Sequence, residues 1–178
     1  MSKPKQLPQF RKGKKAESDF GPIVIEEARR EDPRLAELAR QLGSLDRAKR
    51  VLKLQEQYPN GTIPELIVMD YLNRNGEQYL YQLQAFGGRG EVAGQGFVPD
   101  FLVWHDRSRG TVIQVQGFYY HSAPEKRERD AANKMRLMGN WFAGVRVTQV
   151  VDVWDLDLLS GNADNVIEMA LLGHEIQR

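Results

Sequence analysis

Apolar residues recur three and four apart between residues 22 and 58 and again after Thr62, whereas between 78 and 116 they fall into short runs broken by glycine, aspartate and serine. The first pattern predicts helices. Asp32 and Pro33 open one, with Leu35, Leu38, Ala39 and Leu42 on one face, and Gly43 closes it. Ser44 caps the next, whose apolar side is Ala48, Val51, Leu52 and Leu54. Together they form a helical pair, either packed on the domain or serving as a separate docking element. Asn60-Gly61 is a turn, and Thr62 caps a helix running to about Arg74, where Asn75-Gly76 stops it. The second pattern predicts strands over 78–84, 97–104 and 111–116, with a glycine-rich loop at 87–96 and a turn at 105–110. Ser122 caps a long helix to about Gly139, a fourth strand follows over 144–151, and short helices follow at 155–159 and 163–172. The order α-β-β-β-α-β implies an α/β fold, a four-stranded mixed sheet flanked by helices. Residues 1–20, rich in Lys, Pro, Gln and Gly, are expected to be a disordered tail, 21–60 a helical extension, and 61–178 the main domain.

Four polar residues interrupt the apolar strand runs or directly follow them. Asp100 stands inside Val98-Pro99-Asp100-Phe101-Leu102-Val103-Trp104, where a carboxylate requires a cation or a hydrogen-bond network. A hard divalent cation would take its oxygens and leave room for water and phosphate. The bland alternative is an aspartate at the solvent end of the strand. Gln114 and Gln116 are two apart and so leave one face of a strand, while Ile113 and Val115 leave the other. Gln114 suits cross-strand hydrogen bonding, and Gln116, nearer the strand end, is the better site residue. His121 follows Gly117-Phe118-Tyr119-Tyr120 and has the chemistry to activate water, or else caps the next helix.

Two further acids have equally good structural duties. Glu65 completes the capping box Thr62-Ile63-Pro64-Glu65. Asp130 shares a helix face with Arg127 and Lys134, and either orients His121 or simply pairs with Lys134. Lys126, Arg127, Arg129, Lys134 and Arg136 make this helix the most anion-seeking part of the body, while Ala131, Met135 and Met138 are expected to form its buried stripe. Arg89, in the glycine loop, can reach a phosphate or a minor groove, but the loop lacks the Lys-Ser/Thr ending of a P-loop.

Charge changes the picture only when divided along the chain. The formal net charge is +1, yet residues 1–15 hold six of the 25 basic residues and no acid. The remainder carries 19 bases against 24 acids, a net of −5. A basic arm on an acidic body fits contact with nucleic acid phosphates, or else a solvated tail. There is no cysteine, which removes disulfides and thiolate sites and fits a reducing compartment. No apolar run approaches the length needed to span a bilayer, so a cytoplasmic or virion-associated protein without membrane contact is expected.

In their order and spacing, Glu65, Asp100, Gln116, His121 and Asp130 resemble the PD-(D/E)XK nuclease superfamily. The pattern is most similar to the branch containing very-short-patch repair endonucleases and E-D-x-H-D homing endonucleases. The resemblance covers about residues 62–157, and Val153-Trp154-Asp155 is similar to the family's final strand and its exit. It implies a restriction-endonuclease-like αβββαβ core that hydrolyses a DNA phosphodiester with Mg²⁺ or Mn²⁺. It further implies that Asp100, the Val115 carbonyl and Gln116 hold the ion, that His121 assists hydrolysis with Glu65 and Asp130, and that Arg89, Lys126, Arg127 and Lys134 meet DNA. The third strand departs from the common form: Gln114-Val115-Gln116 replaces an acid and a lysine. The expectation is therefore a metal-dependent endonuclease or nickase, of phage or mobile-element type, acting as a homodimer or in a larger assembly. The alternative is a catalytically inactive nuclease-fold protein that binds DNA or serves an assembly. A third possibility is an interaction module built on the N-terminal helices.

Overall fold

A computed structural model describes residues 22–82, 98–117 and 124–174. Three helices come first: α1 (Pro22–Glu31), α2 (Pro33–Leu42) and α3 (Leu45–Gln57). Their boundaries have the expected chemistry. Asp32 accepts the Arg34 N–H at 2.9 Å, and Ser44 accepts that of Arg47 at 3.3 Å. Gly43 closes α2 at φ +64°, a left-handed conformation that costs a glycine little. The expected helical pair is thus a trio, because α1 also packs on α2.

Helix α4 (Ile63–Asn75) follows, then β1 (Tyr79–Tyr81), β2 (Phe101–Trp104), β3 (Arg109–Gln116), helix α5 (Pro124–Leu137), β4 (Trp141–Phe142), β5 (Val145–Trp154), α6 (Asp155–Leu158) and α7 (Ala163–Leu171). The sheet order is β1-β2-β3-β5-β4. The β1–β2, β2–β3 and β5–β4 pairs are antiparallel, and β3–β5 is parallel. The α/β class is as expected, but the sheet has five strands where four were expected. The fifth is made by a two-residue turn, Ala143-Gly144, with φ of +47° and +82°. Such a turn matches the twist of a tight hairpin and folds Trp141–Phe142 back on β5. Ala-Gly lacks the usual asparagine or aspartate at the first turn position, so the hairpin leaves little trace in the sequence.

Alternation along the strands divides the interior in two. Phe101, Val103, Ile113, Val151 and Val153 face the larger core with residues of α1–α4, α6 and α7. Leu102, Val112, Val145 and Val147 face the smaller one with Leu137 of α5. The N-terminal helices belong to the same buried cluster as the sheet, since Leu38, Leu42 and Val51 are contiguous with Phe101 and Ile113. On α5 the expected apolar stripe is wrong. Met135 is 75% exposed, Met138 is 48% exposed and Ala131 is exposed, whereas Leu137 is fully buried. Leu137 packs on the sheet, and the methionines are on the outer side of the helix. No helix among the described residues is long and apolar enough to cross a membrane.

Helix α4 is covered nearly all round, with Glu65 to Asp70 and Leu72 buried. Burial of Asp70 requires cations, and three arginines supply them. Arg50 Nε lies 2.7 Å from its carboxylate, Arg74 Nε 3.1 Å and Arg47 Nε 3.8 Å. Asp164, at the start of α7, pairs with Arg47 and with Arg74 Nη2, the latter at 2.7 Å. This network ties α3, α4 and α7 together. Asp70→Ala is expected to destabilise the fold by about 3 kcal/mol, because Arg50 loses its partner and the buried Arg47 is left with Asp164 alone. Urea denaturation checks this, and a loss under about 1 kcal/mol contradicts it.

Candidate functional site

The capping box at the start of α4 forms in full. Thr62 Oγ1 accepts the Glu65 N–H, and Glu65 Oε2 accepts the Thr62 N–H at 2.7 Å. The same oxygen also accepts the Thr62 hydroxyl at 3.0 Å and the Tyr81 hydroxyl at 3.1 Å. Gln82 Nε2 in turn donates to the Tyr81 oxygen at 2.9 Å. Burial, and then the neighbouring Glu65 carboxylate, push the Tyr81 pKa up, so its hydroxyl keeps its proton and stays a donor.

Asp100 stands immediately before β2, half-buried at the sheet's rim. Its Oδ2 accepts the Val115 N–H at 2.7 Å, and its carbonyl accepts the Gln82 N–H at 2.7 Å. The Glu65 carboxyl group is near enough to act on that of Asp100. Burial, opposed by the Val115 amide and reinforced by Glu65 and Asp152, pushes Asp100 up to about 7.

The α5 side of the sheet supplies the remaining groups. Gln114 pairs with Asp152 in the β3–β5 ladder, and continuing the β2–β3 register one step past Phe101↔Ile113 brings Asp100 opposite Gln114. Gln114 therefore lies between two acids. It is only 6% exposed, and its Oε1 is buried without a hydrogen-bond partner among the described residues. The cross-strand bond expected of Gln114 is not made by that oxygen. Gln116 Nε2 donates to Asp152 Oδ1 at 3.2 Å, and Lys134 Nζ sits 2.7 Å from Asp152 Oδ2. Lys134 thus faces the sheet and holds a carboxylate of β5.

Glu65, Asp100, Val115 and Gln116 gather at one end of β3, and Lys134 reaches the same region from α5. Lys126, Arg127 and Asp130 lie on α5, but their side chains fall outside the described residues, as do His121 and Arg89 entirely. His105 is occupied elsewhere, with Nε2 2.6 Å from Thr111 Oγ1. Asp152 was not a sequence candidate. The test that singles out Asp100 would have found it, since Val150-Val151-Asp152-Val153-Trp154 is again a carboxylate within an apolar strand run.

The candidate ligands are all hard oxygens: the neighbouring carboxyl groups of Glu65 and Asp100, Asp152 across the ladder, and the Gln114 amide oxygen, which has no hydrogen-bond partner among the described residues. No cluster of three or more His, Asp or Glu side chains in ligating arrangement occurs among the described residues. The arrangement suits an ion that keeps much of its own water and takes few protein ligands, which is the habit of Mg²⁺. No protein-family model, curated protein or solved structure matches the chain.

The pKa of Asp100 has a consequence for stability. The unfolded chain ionises this group near the ordinary 3.8, and the folded chain near 7. Between these values the folded state binds the extra proton, so this group's contribution to stability falls as pH rises through the window. Asp100→Asn is expected to remove that decline. Thermal unfolding should show the variant more stable than the parent at pH 8, with the gap closing towards pH 4. A gap independent of pH contradicts the assignment.

Proposed function

We propose that the chain is a metal-dependent DNA endonuclease or nickase of the PD-(D/E)XK type, with Mg²⁺ or Mn²⁺ held at the rim of the sheet. The observation that carries this reading is the half-buried Asp100 carboxyl group, held on the Val115 amide at the sheet's rim, with the Glu65 carboxyl group as its neighbour and Gln114 opposite it in the ladder. Two neighbouring acids favour a proton or a cation beside them, and a buried oxygen acceptor needs a donor or a cation. The order α4-β1-β2-β3-α5-β5, with β3 and β5 parallel, supports the αβββαβ core. The hairpin strand β4 is then an addition at its edge.

In this reading Asp100, Glu65 and the Gln114 oxygen hold the ion, together with the Val115 carbonyl that the resemblance implies. When bound, the ion supplies Lewis acidity, neutralising charge on the phosphate oxygens and acidifying water. His121 takes the proton of the attacking water. Lys134, anchored on Asp152, presents a positive charge towards the phosphate, in a chain whose third strand carries no lysine. Gln116 fixes the other oxygen of Asp152 and so keeps that anchor in place. Asp130, Lys126, Arg127 and Arg89 are the remaining proposed contacts to His121 or to the DNA backbone. Virion association or a phage source fits this activity, and a homodimer would supply two nicks.

Gln114-Val115-Gln116 also favours a second reading, in which the same fold binds DNA without cutting it. Purified chain with Mn²⁺ is expected to nick supercoiled DNA, and Asp100→Ala or His121→Ala to reduce the rate by at least about a hundredfold, the scale of a lost general base or metal ligand. Calorimetric titration should show Mn²⁺ binding that Asp100→Ala abolishes. Metal binding without cleavage of any supercoiled, mismatched or branched DNA supports the non-cutting reading. Absence of metal binding sinks the first reading.

A further inference from the structure

We infer that a basic cleft between α3 and α4, separate from the carboxylate site, is a seat for a backbone phosphate of the bound nucleic acid strand. The cleft has a volume of about 310 Å³, and its walls include Arg50, Lys53 and Gln57 of α3 and Asp70, Asn73 and Arg74 of α4. Three cations and a single carboxylate line it. That carboxylate, Asp70, is already shared among three guanidinium groups. Arg47, Arg50 and Arg74 are balanced by Asp70, Asp164 and Asp46, which also acts on Arg50, so the surplus positive charge is that of Lys53.

A network serving only to bury Asp70 and join helices would need no surplus. Here the surplus lies at a concave surface, where low-dielectric walls concentrate the field on an incoming anion. The donors are also available. Arg50 uses Nε and Nη2 on Asp70, and Arg74 uses Nε on Asp70 and Nη2 on Asp164, so Nη1 of each is uncommitted among the described residues. Lys53 is exposed and has no ion pair among them. Asp70 holds Arg50 in place and, with Asp164, Arg74, which reduces the ordering cost of gripping a phosphate. Two fixed guanidinium groups and one mobile ammonium form a site for a tetrahedral oxyanion.

Position links the cleft to the carboxylate site. Asn73 lies eight residues after Glu65 on α4, about 12 Å along the axis at 1.5 Å per residue. That span equals about three to four nucleotide rises of 3.4 Å. The inference rests on the nucleic-acid reading but not on the metal, and the experiment separates the two.

Binding of a fluorescent DNA duplex to the full chain is measured by anisotropy in EDTA. Lys53→Glu is expected to weaken binding at least about fivefold and to lower the slope of log K against log salt by about one, the signature of one lost phosphate contact. Lys53 supports nothing in the fold, so its variant should melt like the parent. Lys49→Glu, on the same helix but outside this cleft, is expected to have a much smaller effect. In a second arm, inorganic phosphate titrated into the ¹⁵N-labelled chain should shift the Arg50, Lys53 and Arg74 resonances, and not in Lys53→Glu. DNA binding and salt slope unchanged in Lys53→Glu overturn the inference, whatever inorganic phosphate does. An equal loss in Lys49→Glu also overturns it, by showing a diffuse field rather than a seat. Asp100→Asn tests the carboxylate site alone: it should keep this EDTA-independent binding while losing Mn²⁺.

Discussion

Glu65 is committed twice, and much of the molecule's arrangement follows from that. One oxygen closes the N-terminus of α4 and receives the Tyr81 hydroxyl, and the carboxyl group as a whole acts on Asp100. Capping of this kind is worth about 1 kcal/mol, enough to fix where a helix begins but not enough to justify a second acid alongside. A fold selected for stability alone would place an amide or a lysine beside Glu65. The price of retaining Asp100 is a carboxyl group held half-buried and protonated near neutrality, a kind of strain that concentrates where a ligand is meant to relieve it.

The two readings of Glu65 offered by the sequence, cap and site residue, prove compatible. A capping glutamate is held by the helix it caps, so its carboxylate is already ordered when a neighbour approaches. Such pre-organisation is what a binding residue needs, and a helix N-terminus also favours the negative charge. Asp152 stands in the same relation to Lys134 and Gln116, as the anchor of groups that face the site.

Local chemistry was legible where it is dictated locally. Asp32, Ser44, Thr62, Gly43 and Gly76 mark helix ends because backbone donors and left-handed turns leave few alternatives. The shared face of Gln114 and Gln116 follows from the two-residue period of a strand, whatever it pairs with. What depended on partners was not legible. Met135 and Met138 fit an apolar helix face, but the side of α5 that meets the sheet is that of Lys134 and Leu137. Asp152 escaped notice because β5 was expected to end at 151, one residue short of it. Strand length there is set by the parallel ladder with β3, which runs on to Gln116↔Trp154.

Helix α4 explains why both charged regions can be precise. Its burial on nearly every side leaves no ordinary amphipathic pattern, and a helix so enclosed moves only with the core around it. Near its N-terminus the helix presents acid to the sheet's rim. Towards its C-terminus it presents Arg74, held by Asp70 and Asp164. The opposite placement would suit the helix dipole less well, since anions are favoured at the start of a helix and cations at its end. A rod with fixed negative and positive stations about 13 Å apart, Glu65 and Arg74, is a physical ruler for a polyanion that needs a cation at one phosphate and direct basic contacts at another. The N-terminal helices then do more than cover the core, because α3 forms the second wall of the basic station, and no rearrangement of the sheet could supply it.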